Sequence, residues 1–298
     1  MRKNPILKKL FLAGVLLFSV GCTPGVNKSV QQDLRPTTVV QTSSVSQPAT
    51  VAPAAVPEES KTPEPAVKPA DTAVKTVEKA VAKSIPILMY HSISDNPKNL
   101  LCLSPKRFAE HMQHLKDAGY NTITFRDLED WEAGKPIPVK PVLITLDDGY
   151  RDNYTDAYPV LKQLNLKATI FMTTGFFNQR MNLTEDMAKE MMGSGLIEFG
   201  SHTVSHGDLT TQTDERLHSE IIESKLELES KLGVPITAFC YPAGRFNEKT
   251  LSYVKQAGYR LAVTTRPGWA ELSQGVHTLH RIRINGDLTT EQFKKMLP

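Results

Sequence analysis

The chain has 298 residues, 22% of them charged and 40% hydrophobic, with a formal net charge of +3. So small a surplus, part of it carried by Arg2, Lys3, Lys8 and Lys9, gives no warrant for nucleic-acid binding. Nor can all 298 residues form one folded body, because a long early stretch lacks the apolar pattern that a core requires.

Residues 1–22 join that basic start to the apolar run "LFLAGVLLFSV" and then "GC". This is the form of an export signal and not of a membrane-spanning helix. Cys22 after Gly21 resembles a bacterial lipoprotein box, in which the cysteine is lipidated and becomes the new N-terminus, although Ser19 stands where Leu is usual. One lipid-bearing cysteine can hold a chain to a membrane without spanning it; ordinary cleavage and an uncleaved anchor are the alternatives. From residue 23 to 83 the composition shifts to Pro, Ala, Val, Thr, Ser and Lys, with almost no aromatics. Such a segment cannot bury enough surface to order itself and reads as a disordered tether, with a coil reach of roughly 40–50 Å.

Residues 84–298 have the length of one α/β domain. Apolar or β-branched runs recur as "PILMY", "YNTITF", "PVLITL", "KATIFMT", "LIEFGS", "ITAFCY", "YRLAVTT" and "HRIRI". Amphipathic stretches separate them. "SPKRFAEHMQHLKDAGY" starts with a Ser cap and Pro in the first turn, places Phe108, Met112 and Leu115 on one face, and stops at Gly119. "DERLHSEIIESKLELESKLG" turns Leu217, Ile221, Leu228 and Leu232 inward before Gly233. Alternating strands and helices imply a parallel sheet, and seven or eight units imply a closed or nearly closed (β/α) barrel with its chemistry at the C-terminal strand ends.

Four strands deliver polar or special groups to that rim. "PVLITL" ends in Asp147, Asp148 and Gly149; "IEFGS" ends in His202, with His206 four residues on; "TAFCY" leads to Pro242, Ala243 and Gly244; "PILMY" ends in His91. In "SHTVSH" a helical turn would let both imidazoles reach one ion. Adjacent carboxylates after a buried strand are costly without compensation, which a cation at one of them would offset. A calcium loop is excluded, because the Gly of "DDGYRDNYTD" comes third and not sixth. One Asp and two His leave coordination positions open, as a catalytic zinc site requires, and cobalt or nickel fit the same donors.

"TLDDG", "SHTVSH" and "YPAG", in this order, resemble the polysaccharide deacetylases of carbohydrate esterase family 4, the NodB-homology fold. The resemblance implies Asp147 as general base, Asp148, His202 and His206 as metal ligands, and the Ala243 N–H as an oxyanion donor. Two departures stand out. Where many relatives carry Arg two positions before the Pro, this chain has Cys240, so support for Asp147 would have to come from elsewhere, with Arg281 or Arg283 of "HRIRI" as candidates. No C-terminal strand ending supplies the acid His well. "ILMYHSI" does, and it resembles the circularly permuted, biofilm-type poly-β-1,6-N-acetylglucosamine deacetylases. That resemblance implies His91 as general acid, with His280 as the alternative.

The implied activity is removal of N-acetyl groups from N-acetylglucosamine-containing polysaccharide outside the cell, by a metal-dependent hydrolase expected to be a monomer. The alternatives are an O-acetyl esterase acting on xylan or peptidoglycan, and a surface lipoprotein that binds glycan without turning it over. Tyr241 and Trp269 are candidate substrate contacts, and Trp131 reads as a packing anchor. His111, His114 and His218 read as surface residues, and Cys240 as buried beneath the site. The sequence leaves open whether Cys102 and Cys240 pair.

Overall fold

Each of the eight runs forms a strand in the computed structural model, which describes residues 79–80 and 82–297. The export leader, Cys22 and residues 23–78 lie outside the described residues. The strands are β1 (Ile87–Tyr90), β2 (Asn121–Ile123), β3 (Pro141–Asp148), β4 (Ala168–Met172), β5 (Ile197–Ser201), β6 (Ala238–Cys240), β7 (Leu261–Pro267) and β8 (Leu279–Arg283). All their pairings are parallel. Seven close into a barrel in the order β1-β8-β7-β6-β5-β4-β3, with β3 pairing back onto β1. Strand β3 is buried along its whole length, which is why it reads as a continuous apolar run. Its first half also pairs with β2, which flanks the ring. Strand β1 sits between β8 and β3, so the earliest strand of the barrel completes the ring, as the permuted arrangement requires.

The helices are α1 (Pro105–Asp117), α2 (Phe125–Glu132), α3 (Tyr158–Leu164), α4 (Glu185–Gly193), α5 (Asp214–Leu217), α6 (Ser224–Leu232), α7 (Glu248–Gln256) and α8 (Thr290–Met296). Helix α1 begins where the sequence places it, with Ser104 accepting the Arg107 N–H, and buries Phe108, Met112 and Leu115. Helices α5 and α6 are joined by a π-helical turn over His218–Glu223, which the 3.6-residue period did not disclose. Phe125, Leu128 and Trp131 of α2 share one buried cluster with Ile87, Leu143, Phe171, Leu261 and Leu279, and plug the barrel at the N-terminal side of its strands. Trp131 is the packing anchor expected, and its indole N–H donates to the Ala82 carbonyl at 2.7 Å. Lys79–Ala80 pairs antiparallel with Ile137–Pro138, so paired backbone begins inside the stretch that the sequence assigns to the tether.

His111 departs from expectation. It is fully buried, stacked on Phe293 at 3.9 Å between ring centroids, with Nδ1 3.2 Å from the Tyr90 hydroxyl. His114 is partly exposed and His218 exposed. Burial lowers the His111 pKa to about 4. A histidine neutral in the fold but protonated below about pH 6.5 when unfolded costs stability as pH falls from that value toward 4, by up to about 3 kcal/mol. Urea unfolding at pH 7.5 and pH 4.5 should show that loss, and His111→Gln should remove most of it. The same acid sensitivity in the variant would place its origin elsewhere.

Candidate active site

The acidic pair occupies the last two positions of β3. Asp147 continues the strand into the barrel, whereas Asp148 (φ 74°) and Gly149 (φ 68°) turn left-handed and end it. A Cβ at Gly149 would meet the Met172 sulfur at 2.1 Å, so a side chain there would have to displace Met172 and hold a left-handed backbone that favours glycine. Arg281 of β8 grips Asp147 with a two-pronged ion pair, Nη1 to Oδ1 at 2.8 Å and Nη2 to Oδ2 at 2.7 Å. The guanidinium is fully buried and also donates to the Thr264 carbonyl, the Thr145 hydroxyl and the Cys240 sulfur. Of the two arginines in "HRIRI", Arg281 is thus the one that pairs with Asp147, while Arg283 is exposed at the strand end. Burial alone would raise the Asp147 pKa; Arg281, then His91 and His202, outweigh it and hold the carboxyl well below the usual range. Cys240 lies buried beneath the carboxylate, as expected, and both it and Cys102 are free thiols.

Asp148 faces the two imidazoles. Its Oδ1 is 3.4 Å from Nε2 of His202 and 3.4 Å from Nε2 of His206, and the two rings stand edge to face. That oxygen is buried without a hydrogen-bond partner. With His202 protonated at Nδ1 that nitrogen donates to the Cys240 carbonyl at 2.7 Å, leaving the Nε2 lone pair aimed at the centre of the group. An orphaned carboxylate oxygen and two converging imidazole nitrogens fit a divalent cation. The route to this geometry differs from the helical turn expected. His202 follows directly on β5, and His206 is carried back by a loop with left-handed backbone at Thr203 (φ 70°) and His206 (φ 59°).

His91 follows β1 and is 9% exposed, with Nε2 3.8 Å from Asp147 Oδ2. Its pKa is lowered: burial favours the neutral ring and prevails over the opposing Asp147 and Asp148. Its own carbonyl accepts from Asn153, and Asp152 fixes the chain just beyond it by accepting from Ser92 and Ile93. His280 is not placed for the same task, since Arg281 points inward and strand side chains alternate. Ala243 has a left-handed backbone (φ 52°) in the Pro242–Gly244 turn, and its carbonyl accepts from Thr265. Gly244 packs so closely on β7 that a Cβ would lie 2.4 Å from the Thr265 nitrogen.

Two candidate substrate contacts lie elsewhere. Tyr241 is fully buried in the core against Phe239 and Phe246. Trp269 is 40% exposed, but its neighbour Ala270 exchanges backbone hydrogen bonds with Ile85. Ile85 precedes β1 whereas His91 follows it, a separation of roughly 20 Å along the strand, so Trp269 lies toward the closed end of the barrel. Sequence reasoning missed Tyr150, a half-buried residue next to Gly149. Burial, then Asp148, push its pKa far up, keeping the hydroxyl neutral beside that carboxylate. Its adjacency to "DDG" was the available signal.

A polysaccharide deacetylase family profile matches residues 134–262, the segment holding Asp147, Asp148, His202, His206 and Ala243. YxkH of Bacillus subtilis (strain 168), named as a polysaccharide deacetylase, is 43% identical over 211 residues, 70% of this chain and 74% of that protein. The chain belongs to the polysaccharide deacetylase family. Streptococcus pyogenes deacetylase PplD, solved in complex with acetate, is similar at a TM-score of 0.68 and 34% identity, across 75% of this chain and 100% of that one. The poly-beta-1,6-N-acetyl-D-glucosamine N-deacetylase of Staphylococcus aureus (strain MRSA252) is 24% identical over 221 residues, 70% of this chain and 76% of that protein. This polysaccharide deacetylase is thus a hydrolase on a closed parallel barrel. His91 and Arg281 fall outside the profile's span, on the two strands that meet at the seam of the ring.

Proposed function

We propose that the chain removes N-acetyl groups from an N-acetylglucosamine-containing polysaccharide outside the cell. The observation that carries this reading is the placement of His91 beside an Arg-paired Asp147, next to a separate Asp148, His202 and His206 cluster. Asp148 Oδ1 and the Nε2 atoms of His202 and His206 would hold a divalent cation, with zinc the best match to these donors and cobalt or nickel compatible. When bound, the cation supplies Lewis acidity toward water and toward the acyl oxygen.

The chain's own groups divide the remaining work. Asp147 stays ionised at neutral pH and takes the proton of the attacking water. The Ala243 N–H donates to the oxygen that gains charge as the acyl carbon becomes tetrahedral. His91, in its protonated form, gives a proton to the departing amine nitrogen, which cannot leave as an anion. This need for a positioned acid favours N- over O-deacetylation, because an alkoxide leaves with less help. The S. aureus relative, named for a poly-N-acetylglucosamine substrate, supports the same choice. Lipidation at Cys22 and a tether over 23–83 would hold the catalytic domain (84–298) on a membrane facing its polymer. Among the described residues no helix is long and apolar enough to cross one.

The test is acetate release from matched N-acetylated and O-acetylated oligosaccharides, including poly-β-1,6-N-acetylglucosamine, xylan and peptidoglycan fragments, with metal analysis of the same preparation. Release from O-acetylated substrates alone would replace the reading with an esterase, and binding without release would replace it with a glycan-binding role. His91→Ala is expected to lower turnover by roughly 10²–10⁴-fold with metal content unchanged. Near-normal turnover would remove the acid role.

A further inference from the structure

We propose that Glu220 is a positioning residue for the metal cluster, acting through the loop that carries His206; this rests on the reading of Asp148, His202 and His206 as ligands. Glu220 lies in the π-helical turn His218–Glu223 and is 1% exposed. A carboxylate so deeply buried is costly unless its oxygens are fully engaged. Its Oε2 accepts the backbone N–H groups of Val204 (3.0 Å) and Ser205 (2.8 Å), and its Oε1 accepts from the Ser205 hydroxyl (2.5 Å) and Arg216 Nη2 (2.8 Å). Val204 and Ser205 are two of the three residues between the paired histidines.

The remaining amides of that span are also held. Thr203 N donates to Ser201 Oγ (3.2 Å), which meets Ser224 Oγ at 2.8 Å, just beyond the π turn. His206 N donates to Thr203 Oγ1 at 3.0 Å. From the other side, Thr174 N and Gly175 N donate to the carbonyls of Thr203 and Val204, and a Cβ on Gly175 would come within 2.6 Å of the Val204 oxygen. Left-handed backbone at Thr203 and His206 is disfavoured for residues with side chains, so it persists only where neighbours over-determine it. Glu220 supplies the central part of that determination. It accepts both amides between the two strained residues, and so fixes where His206 Nε2 stands relative to His202 and Asp148.

Outer partners of metal ligands typically control 10–100-fold in affinity. Zinc affinity of the full protein, measured by chelator competition, should fall by about that factor in Glu220→Gln. The visible spectrum of the cobalt-loaded variant should change in band position or intensity. Glu198→Gln is the control. It alters a partly buried carboxylate at the start of β5, which accepts from Phe125 N and Thr169 Oγ1, and should lower thermal stability while leaving zinc affinity and the cobalt spectrum unchanged. A folded Glu220→Gln that binds zinc as tightly as wild type overturns the proposal, as does an equal affinity loss in Glu198→Gln. If Glu220→Gln does not fold, Ser205→Ala decides: it keeps the Glu220–Arg216 pair, and several-fold weaker zinc binding is expected, with unchanged affinity overturning the proposal. Failure of wild type to bind zinc, or equal affinity in His202→Ala, would instead remove the ligand reading itself.

Discussion

Replacing Asp147 by Asn is expected to lower acetate release by roughly 10²–10⁴-fold, the range typical for loss of a general base, while the metal stays bound. The substitution keeps the shape of the side chain and one acceptor for Arg281, but it removes the group able to take a proton from water. It also leaves the Arg281 charge buried without its counter-ion. Folding must therefore be followed in parallel, by circular dichroism at the assay temperature, so that lost structure is not mistaken for lost chemistry. A folded, metal-loaded variant with more than about a tenth of wild-type turnover would sink the assignment, since even the weakest general-base effects exceed that.

The second large effect is expected at the other end of the ion pair. Arg281→Met strands a carboxylate inside the barrel, a class of change that costs about 3–5 kcal/mol. The pH dependence has a definite sign. In wild type the Asp147 pKa is depressed, so the pair contributes stability above the unfolded value near pH 4 and loses it as pH falls further. In the variant the dominant influence on the carboxyl is burial, which raises its pKa. The stability deficit should be large at pH 7 and smaller at pH 5, where the carboxyl can take up a proton. The pH at which acetate release begins should move upward. Urea unfolding at both pH values, with a pH–rate profile, checks each part. Equal stability at pH 7 would show that Arg281 is not the counter-ion. Arg281→Lys is not a rescue, because an ammonium cannot serve both carboxylate oxygens in the forked geometry seen here.

The contrast between Arg281 and Asp148 shows what the sequence made legible. Local spelling was enough for the strands and for the acid pair, because a run such as "PVLITL" has few alternatives to a buried strand and two carboxylates at its end demand compensation. Bringing Asp148 and His202 to one end of the barrel needed only that β3 and β5 run parallel in one sheet, whereas the left-handed loop that returns His206 had no local signal. Arg281 was harder. "HRIRI" alternates, but nothing in it says which face of the strand meets the barrel axis, so Arg281, Arg283 and His280 stayed open until the neighbours of β8 were known. Glu220 and His111 were hidden for a related reason. A polar residue on a helix reads as solvent-facing by default, and its burial is decided by a partner surface distant in sequence: the Val204–Ser205 amides for one, Phe293 for the other. Trp269 misled in the opposite direction. Its segment follows the C-terminal end of β7 yet folds back to pair beside Ile85, with Ala270 fully buried.

The ring closes between its earliest and latest strands, and that junction brings Arg281 to Asp147 across 134 residues of chain. Contacts between such distant segments are the slowest to form, because loop closure must precede any gain from them. During refolding, helical signal is therefore expected to return before hydrolysis does. Until the final strand docks, Asp147 lacks its Arg281 counter-ion, and burial alone would favour its protonated form. Enzymatic competence in this architecture is expected to track the sealing of the barrel, because the Arg281–Asp147 pair forms only when β8 is in place.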